Sequence, residues 1–351
     1  MTYRILVINP GSTSTKLAIF ENNSLYAAKT LRHDPGDLAP VIAEQLDYRR
    51  ALVQEWLDSA QARGKLRAVV GRGGLLKPVP SGCYAVNEVM VEDLRKGVQG
   101  EHASNLGGLI ANSLATELGI PAYIVDPVSV DEFIPEARLS GLPEIQHRSL
   151  SHALNIRAIA RRAARDLKQN LSDINLVMIH LGGGISVAAL RGGRMLDVNS
   201  ADRGPFTPER SGGLPAGDLI NLAYSGRFTE QQLLAKINRQ SGLLGYLGTN
   251  DGVEIRRRIE AGDEKATLIG KTMAYQIAKE VGAMAAVLAG QVRAIVVTGG
   301  LANYKLLLGW IKERVRFIAP VLVYPGEEEM EALASGCLRV LRGEEQPLEY
   351  V

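Results

Sequence analysis

The chain has 351 residues, more than one hydrophobic core usually serves, so we expect two globular units. Hydrophobic residues make up 46% and charged residues 22% of the sequence, which excludes a disordered, highly charged chain. The 40 Lys and Arg nearly balance the 38 Asp and Glu, giving a formal net charge of +2. This near-balance provides no basic field for nucleic acid, which is therefore not an expected partner.

The cysteines and the apolar runs indicate a cytoplasmic protein. Cys83 and Cys337 form no CxxC pair, so we expect two buried packing residues in a reducing compartment rather than a disulfide or zinc site. The apolar run 5–8 is too short for a signal peptide. The longest uncharged stretch, 174–190, is interrupted by polar residues and glycines, so we expect no membrane segment.

The first half alternates strands and helices. Apolar runs predict strands at 3–8, 16–20 and 24–29, separated by polar or glycine turns. Helical spacing then predicts one helix, or two with a break, over residues 38–62, stopped by Gly64. The remaining elements predicted in this half are a strand at 68–70, a helix at 106–118 and a strand at 123–125.

The same order of elements returns in the second half, with strands at 176–179, 185–190 and 195–198. An offset of 171 residues places Gly11 on Gly182. We therefore expect an α/β fold of two duplicated lobes, each a mixed β-sheet flanked by helices, facing each other across a cleft. The remaining predicted elements are a helix at 264–292, a strand at 294–297, a helix at 304–317, a strand at 321–324 and a helix at 327–341.

Three glycine turns that follow apolar strands favour a nucleotide ligand. The first, 9–16, combines backbone N–H groups, hydroxyls and a lysine, which together can cradle phosphate oxygens. An ordinary polar hairpin turn is the alternative, but the turns at 180–184 and 299–300 repeat the pattern. The candidate residues of the first turn are Asn9, Gly11, Ser12, Ser14 and Lys16.

Two common nucleotide-binding motifs are incomplete. The tripeptide 270–272, Gly-Lys-Thr, has Lys265 where a P-loop needs glycine. The Gly182-x-Gly184 pair has Val187 where a dinucleotide fingerprint needs glycine. Neither P-loop nor Rossmann chemistry is supported.

The three turns, in this order and spacing, resemble the acetate kinase family of the actin, sugar kinase and heat-shock ATPase superfamily over nearly the whole chain. The family's N-x-G-S-x-S-x-K entry, H-L-G-x-G loop and G-G adenosine turn match residues 9–16, 180–184 and 299–301. Segments 69–75 and 204–215 resemble the butyrate kinase branch more than acetate kinases. The resemblance implies actin-like (ribonuclease H-like) lobes with a nucleotide cleft between them.

The resemblance also implies roles for single residues. Arg72 would contact the carboxylate substrate or its phosphate, and His102 and His180 would lie at the transferring phosphoryl group. Arg72 and His102 are the implied substrate-binding residues. The implied catalytic residues are Asp126, Arg72, His180, Lys16 and either Arg203 or Arg210. The implied nucleotide and phosphate ligands are Asn9, Gly11, Ser12, Ser14, Lys16, His180, Gly182, Gly183, Gly184, Gly299, Gly300, Leu301 and Asn303. The implied Mg²⁺ ligands are Asn9, Asp126 and one of Glu327 and Glu328.

One family feature is missing, and simpler roles remain open. The family's second active-site arginine precedes a Gly-Asp pair, but residues 214–216 before Gly217 are Leu-Pro-Ala, which leaves Arg203 and Arg210 as nearby candidates. The simpler roles are a surface position for Arg72, a helix cap for Asp126, a capping or surface role for His102, and a satisfied polar position at a strand end for His180.

The implied reaction transfers the γ-phosphoryl group of ATP reversibly to butyrate, with Mg²⁺, giving butyryl phosphate and ADP. A carboxylic acid with a pKa near 4 is ionised at neutral pH, so it needs no general base, and Asp126 would position substrate or magnesium. Isobutyrate, isovalerate, propionate and acetate stay open, because one methylene changes binding by only ~1–3 kcal/mol. A kinase for sugars or other alcohols, a phosphohydrolase, and a non-catalytic nucleotide sensor or assembly protein also stay open.

The resemblance divides the chain by role. Residues 1–130 plus 329–351 would form the carboxylate and phosphate lobe, and residues 131–328 the nucleotide and adenosine lobe. Self-association into a dimer or larger oligomer is expected for this family. Phosphotransbutyrylase, which exchanges acyl-CoA for acyl phosphate, is the expected pathway neighbour.

Overall fold

Two β-sheets organise the chain in the computed structural model, which describes residues 2–60, 65–200 and 203–351. The strands are β1 (Arg4–Pro10), β2 (Ser14–Glu21), β3 (Ser24–Arg32), β4 (Leu66–Arg72), β5 (Cys83–Ala85), β6 (Ala122–Val125), β7 (Asn175–Leu181), β8 (Ile185–Arg191), β9 (Arg194–Val198), β10 (Ala294–Gly299) and β11 (Val321–Pro325). The helices are α1 (Leu46–Ser59), α2 (Glu88–Lys96), α3 (Asn105–Leu118), α4 (Pro135–Arg138), α5 (Ala153–Asp166), α6 (Ala216–Ala223), α7 (Glu230–Arg239), α8 (Gly242–Leu247), α9 (Gly252–Glu260), α10 (Glu264–Val287), α11 (Lys305–Val315) and α12 (Glu329–Leu341).

The two sheets share one topology, which confirms the predicted duplication. The first has the strand order β3-β2-β1-β4-β6-β5, and the second has β9-β8-β7-β10-β11. In each sheet two antiparallel hairpins precede a parallel crossover strand. Strands β1 and β2 begin at residues 4 and 14, and β7 and β8 begin at 175 and 185, which reproduces the offset of 171 residues.

The chain divides into two compact units. Unit 1 comprises Met1–Asp131, Ala153–Asn155 and Glu328–Val351, and unit 2 comprises Glu132–His152 and Ile156–Glu327. Each unit has its own cluster of buried apolar side chains around its sheet. The assignment of carboxylate and nucleotide roles to the two parts of the chain stays a prediction.

Several element boundaries differ from the sequence prediction. The predicted helix at 38–62 begins only at Leu46, after a 3₁₀ turn, because Pro40 disfavours helical backbone in the residue before it. Its predicted end and the stop residue Gly64 lie outside the described residues. Helix α10 ends at Val287 rather than 292, because Ala289 and Gly290 have φ of +52° and +74°.

The sequence patterns did not predict β5, α2, α4, α5 or the run of helices from α6 to α9. The prediction of two buried, unpaired cysteines is confirmed. Among the described residues, no helix combines the length and apolar character that a membrane span requires.

Helix α3 packs directly on strand β4 through glycines. A Cβ at Gly71 would collide with the carbonyl oxygen of Gly107, and a Cβ at Gly107 would lie 2.8 Å from the backbone nitrogen of Arg72. Helix and strand backbones can approach this closely only because neither residue has a side chain. The contact fixes the backbone from which the Arg72 side chain extends.

We predict that Gly107→Ala destabilises the protein by about 3 kcal/mol, because the added methyl group overlaps the β4 backbone. Gly282→Ala is the control, since Gly282 also lies within a helix and a Cβ there would have no neighbour within 4 Å. That variant should gain about 0.5–1 kcal/mol from helix propensity. Urea unfolding of both variants gives the comparison, and equal stabilities would contradict the packing argument.

Candidate active site

Three parallel strands of unit 1 end at one edge of the first sheet. Ile8 lies opposite Gly71, and Arg72 lies opposite Val125, so Asn9, Arg72 and Asp126 reach this edge from β1, β4 and β6. The carboxyl ends of parallel strands are where α/β proteins place ligand-binding residues. The structure thus gathers three predicted site residues from distant parts of the chain.

A buried glutamate links two of these residues. Glu329, the first residue of α12, accepts a hydrogen bond from Asn9 Nδ2 at 2.7 Å and forms an ion pair with Arg72 at 2.5 Å. Arg72 Nη1 also lies 3.5 Å from Asn9 Oδ1. The half-buried Arg72 is therefore a member of a polar cluster and not an isolated surface arginine.

Glu329 was not among the residues selected from the sequence, which pointed to Glu327 or Glu328. Glu327 is exposed, and its Oε1 lies 3.6 Å from where a Cβ of Gly182 would stand. Glu328 is half-buried and immediately precedes α12. The roles predicted for these two residues stay predictions, whereas the contact with Asn9 and Arg72 is made by the next residue along.

Asp126 is buried and has an unusual backbone. Its φ is +39°, a left-handed conformation that aspartate adopts more readily than most residues. Its backbone N–H donates to Gly82 O, and its Oδ1 accepts from Gly82 N, both at 2.9 Å. No helix begins directly after it, so Asp126 is not a helix cap. Strained backbone held by reciprocal bonds is typical of functional positions.

His102 lies just before α3 and is bonded locally. The backbone N–H of Ser104 donates to His102 Nδ1 at 3.2 Å, and Ser104 Oγ lies 2.8 Å from the same nitrogen. Because Nδ1 accepts, the proton of the neutral ring is on Nε2. The ring is exposed and oriented, which is compatible with both the local role and the substrate role considered above.

In unit 2, His180 ends strand β7 beside the glycine loop 182–184. The ring is buried and stacks on His152, with centroids 4.0 Å apart and planes at 15°. His152 Nδ1 lies 3.0 Å from Ser186 Oγ on β8. His152 is a residue that the sequence analysis overlooked. A Cβ at Gly184 would lie 2.9 Å from its ring, so the glycine allows the ring to reach the loop.

The structure separates the two candidate arginines. Arg203 forms an ion pair with Asp197 at 2.7 Å and donates to Val198 O at 2.8 Å. Arg210 is half-buried, and its Nη1 would lie 3.2 Å from a Cβ of Gly184. Within the described chain the Arg210 side chain has no hydrogen bond or ion pair, so it is available to an anionic ligand.

The third glycine turn follows β10. Gly299 has φ +95°, and any Cβ there would collide with the carbonyl oxygen of Leu181. Gly299 and Gly326 exchange backbone hydrogen bonds at 3.1 Å, which holds the ends of β10 and β11 together. Asn303 donates to Gly300 O at 3.1 Å and closes the short helical turn that contains Leu301. Gly300 itself faces open space.

The chain is similar in sequence and in structure to several known proteins. The model of the acetokinase family matches residues 147–307. The chain is 52% identical over 352 residues to the "Probable butyrate kinase 2" of Caldanaerobacter subterraneus subsp. tengcongensis, covering 99% of both chains. The acetate kinase of Porphyromonas gingivalis has a TM-score of 0.81 at 21% identity, covering 97% of this chain and 100% of that one. A propionate kinase from Francisella tularensis has 0.76 at 18% identity, covering 95% and 98%.

The duplicated sheets and these structural neighbours define an actin-like ATPase fold of the form found in acetate and propionate kinases. The full-length sequence match goes further than the fold. The chain belongs to the acetokinase family.

His33, the residue after β3, is buried and has a testable effect on stability. His33 Nε2 lies 2.8 Å from Thr15 Oγ1, and burial followed by the charge of Arg49 lowers the pKa of His33 below 6.5. As pH falls below 6.5 the unfolded chain binds a proton that the folded chain does not. The free energy of unfolding must therefore decrease over that range, by about 1.4 kcal/mol per unit of pKa difference.

We predict that His33→Gln reduces this loss of stability between about pH 7.5 and about pH 5.5. Denaturant unfolding at both pH values measures it, with the wild type as reference. An acid-induced loss of the same size in both proteins would show that His33 does not contribute.

Proposed function

We propose that this chain is a short-chain carboxylate kinase that transfers the γ-phosphoryl group of ATP to butyrate, giving butyryl phosphate and ADP. The observation that carries the proposal is the 52% identity to a probable butyrate kinase over 99% of both chains. The clustering of Asn9, Arg72 and Glu329 at a sheet edge supports it independently, because phosphoryl transfer needs fixed charges around an anionic group.

The reaction needs positioned substrates and stabilisation of negative charge rather than a general base. The carboxylate of butyrate is already ionised at neutral pH, so its oxygen attacks the γ-phosphorus directly. The transition state carries negative charge on three equatorial oxygens. In the proposal Lys16 and Arg72 of unit 1 stabilise that charge, and Arg72 and His102 contact the acid. Arg210 and His180 of unit 2 contact nucleotide phosphates.

Magnesium fits the oxygen donors at the edge of the first sheet. Asp126 and Glu329 offer carboxylate oxygens and Asn9 an amide oxygen, which are the ligands this ion prefers alongside substrate phosphates and water. Among the described residues no three His, Cys, Asp or Glu side chains form a metal-binding group on their own. When bound, Mg²⁺ neutralises charge on the phosphoryl oxygens. The sequence-based prediction gives the second carboxylate to Glu327 or Glu328. We propose instead that Asp126, Glu329 and Asn9 hold the ion, because Glu329 is the glutamate that contacts Asn9.

The nucleotide and cellular assignments are part of the same proposal. The glycine loop 182–184 and the turn containing Gly299, Gly300, Leu301 and Asn303 would hold ATP or ADP. We propose butyrate as the substrate rather than a branched or shorter acid, because the relative with 52% identity is named a probable butyrate kinase. An enzyme that exchanges acyl-CoA for acyl phosphate, such as phosphotransbutyrylase, would supply or consume the product. Two buried thiols are compatible with the reducing cytoplasm, where we place a self-associating enzyme.

The central test is acyl hydroxamate formation from MgATP and hydroxylamine with a series of straight and branched short-chain acids. We predict the highest kcat/KM with butyrate. We also predict that Glu329→Gln lowers kcat by about 10²-fold, because it removes the carboxylate proposed to hold Arg72 and Mg²⁺, which stabilise the charge of the transition state.

The neighbouring glutamates are the matched controls. Glu327→Gln, Glu328→Gln and the exposed Glu331→Gln each remove one charge from the same segment and should retain most activity. If Glu329→Gln were fully active and Glu327→Gln or Glu328→Gln were not, Glu329 would not be the magnesium-binding glutamate. The residue predicted from the sequence would then have that role. No hydroxamate with any acid would overturn the function itself.

The two arginines of unit 2 give a paired prediction. Arg203→Met should lower the free energy of unfolding by about 1–3 kcal/mol, because it leaves the buried Asp197 carboxylate without its partner. Arg210→Met should leave stability within about 0.5 kcal/mol of the wild type, because the side chain has no hydrogen bond or ion pair with any residue that the structure describes. It should instead lower kcat/KM by about tenfold or more. Urea unfolding and steady-state kinetics of both variants measure this, and the reverse pattern would contradict the assignment.

A further inference from the structure

Arg49 lies beneath the loop that joins β1 to β2. The side chain projects from α1 and is completely buried. Its Nη1 donates to Gly11 O at 2.8 Å and to Ser14 O at 3.3 Å, and its Nη2 donates to Ser12 O at 3.1 Å. One guanidinium group therefore binds three of the four carbonyls from Gly11 to Ser14, the segment that contains the loop and the first residue of β2.

The remaining donors of Arg49 are also used. Nη1 contacts Thr15 Oγ1 at 3.1 Å, and Nε and Nη2 donate to Gln45 Oε1 at 3.1 and 2.8 Å. Within the described residues no carboxylate pairs with it. Burial lowers the pKa of Arg49, but an arginine keeps its proton in proteins. A buried positive charge is thus balanced by carbonyl, amide and hydroxyl oxygens alone.

The fourth carbonyl of the loop is bound as well. The backbone N–H of His33 donates to Thr13 O at 2.9 Å, and the His33 ring contacts Thr15 Oγ1. Protein donors thus bind every carbonyl from Gly11 to Ser14. Burying a guanidinium to bind backbone carbonyls has a large desolvation free energy, because the charge is removed from water. Shaping a turn alone does not require it.

Peptide planarity gives this arrangement a consequence for the N–H groups. In a trans peptide the carbonyl oxygen and the following N–H point in opposite directions, and the described chain has no cis peptide. Since Gly11 O and Ser12 O point to Arg49, the N–H groups of Ser12 and Thr13 point away from it. In the described structure neither N–H donates to a protein acceptor, and both residues are exposed.

We propose that Arg49 is a positioning residue that turns the Ser12 and Thr13 N–H groups toward a terminal phosphate, by binding the carbonyls on the opposite side of the loop. The inference rests on the proposed function for the identity of that phosphate. Paired backbone N–H groups form a concave anion site. Arg49 acts through the loop and does not touch the phosphate.

Lysine cannot substitute for this arginine. Its ammonium group has three donors at one point, whereas the guanidinium has five donors in a planar fork. Arg49→Lys therefore keeps the charge, but three donors at one point cannot replace the bonds to the three loop carbonyls, Thr15 Oγ1 and Gln45 Oε1. Arg50→Lys is the matched control, since the adjacent Arg50 is partly exposed and pairs with Glu117 at 2.9 Å.

The test compares the non-hydrolysable ATP analogue AMP-PNP with ADP by titration calorimetry, because only the analogue carries the γ-phosphoryl group that the proposal assigns to this loop. We expect Arg49→Lys to lose about tenfold or more in affinity for AMP-PNP, the factor associated with one charge-assisted hydrogen bond. Its affinity for ADP, its KM for butyrate and its circular dichroism should match the wild type, while kcat falls. Arg50→Lys should bind both nucleotides normally. Unchanged AMP-PNP affinity, or equal loss for AMP-PNP and ADP, would overturn the proposal.

A second measurement needs no variant. In the wild type, AMP-PNP should slow amide hydrogen exchange of Ser12 and Thr13, and ADP should not. Exchange that AMP-PNP leaves unchanged would overturn the proposal even if Arg49→Lys failed to fold. If Arg49→Lys loses affinity for AMP-PNP but the wild type makes no acyl phosphate, the role of Arg49 is retained and the carboxylate kinase function is rejected.

Discussion

The bond between Glu329 and Arg72 is the interaction on which the arrangement of unit 1 depends. It joins the start of α12 to the end of β4, and the same carboxylate accepts from Asn9 at the end of β1. These groups are largely buried, so removing one leaves a charge that neither water nor the protein compensates. The cluster also holds the guanidinium of Arg72, whose backbone the Gly71–Gly107 contact fixes. The close packing of the glycines and the ion pair with Glu329 therefore both position the Arg72 side chain.

The duplicated sheet explains why both units carry a glycine turn in the same place. In each, the first strand ends at a turn that returns as an antiparallel hairpin, and that turn lies at the edge where the parallel strands also end. The two turns have diverged in what supports them. The first rests on the buried guanidinium of Arg49. The second is flanked by stacked histidines and by Arg210, whose side chain bonds to none of the residues that the structure describes.

Local patterns predicted much of the fold and part of the candidate site. The strands of both hairpins and their offset were readable because alternation, glycine turns and repetition are local features. Glu329, His152 and Arg49 were not, because their contacts are tertiary: Asn9 and Glu329 are 320 positions apart. One sequence feature, a charged residue on an otherwise apolar helix face, could have identified Arg49 and Glu329. Arg49 shares a buried stripe with Val53 and Leu57, and Glu329 with Ala332 and Leu333, so each is a charge on an apolar helix face.

The most direct test of the account follows the oxygen atoms of the acid. Butyrate labelled with ¹⁸O in both carboxylate oxygens is incubated with MgATP, and the product is analysed by mass spectrometry. Attack of the carboxylate on the γ-phosphorus predicts butyryl phosphate that retains both labels, with one of them bridging carbon and phosphorus. Loss of one label, or ADP formation without any butyryl phosphate, would contradict direct transfer to the acid.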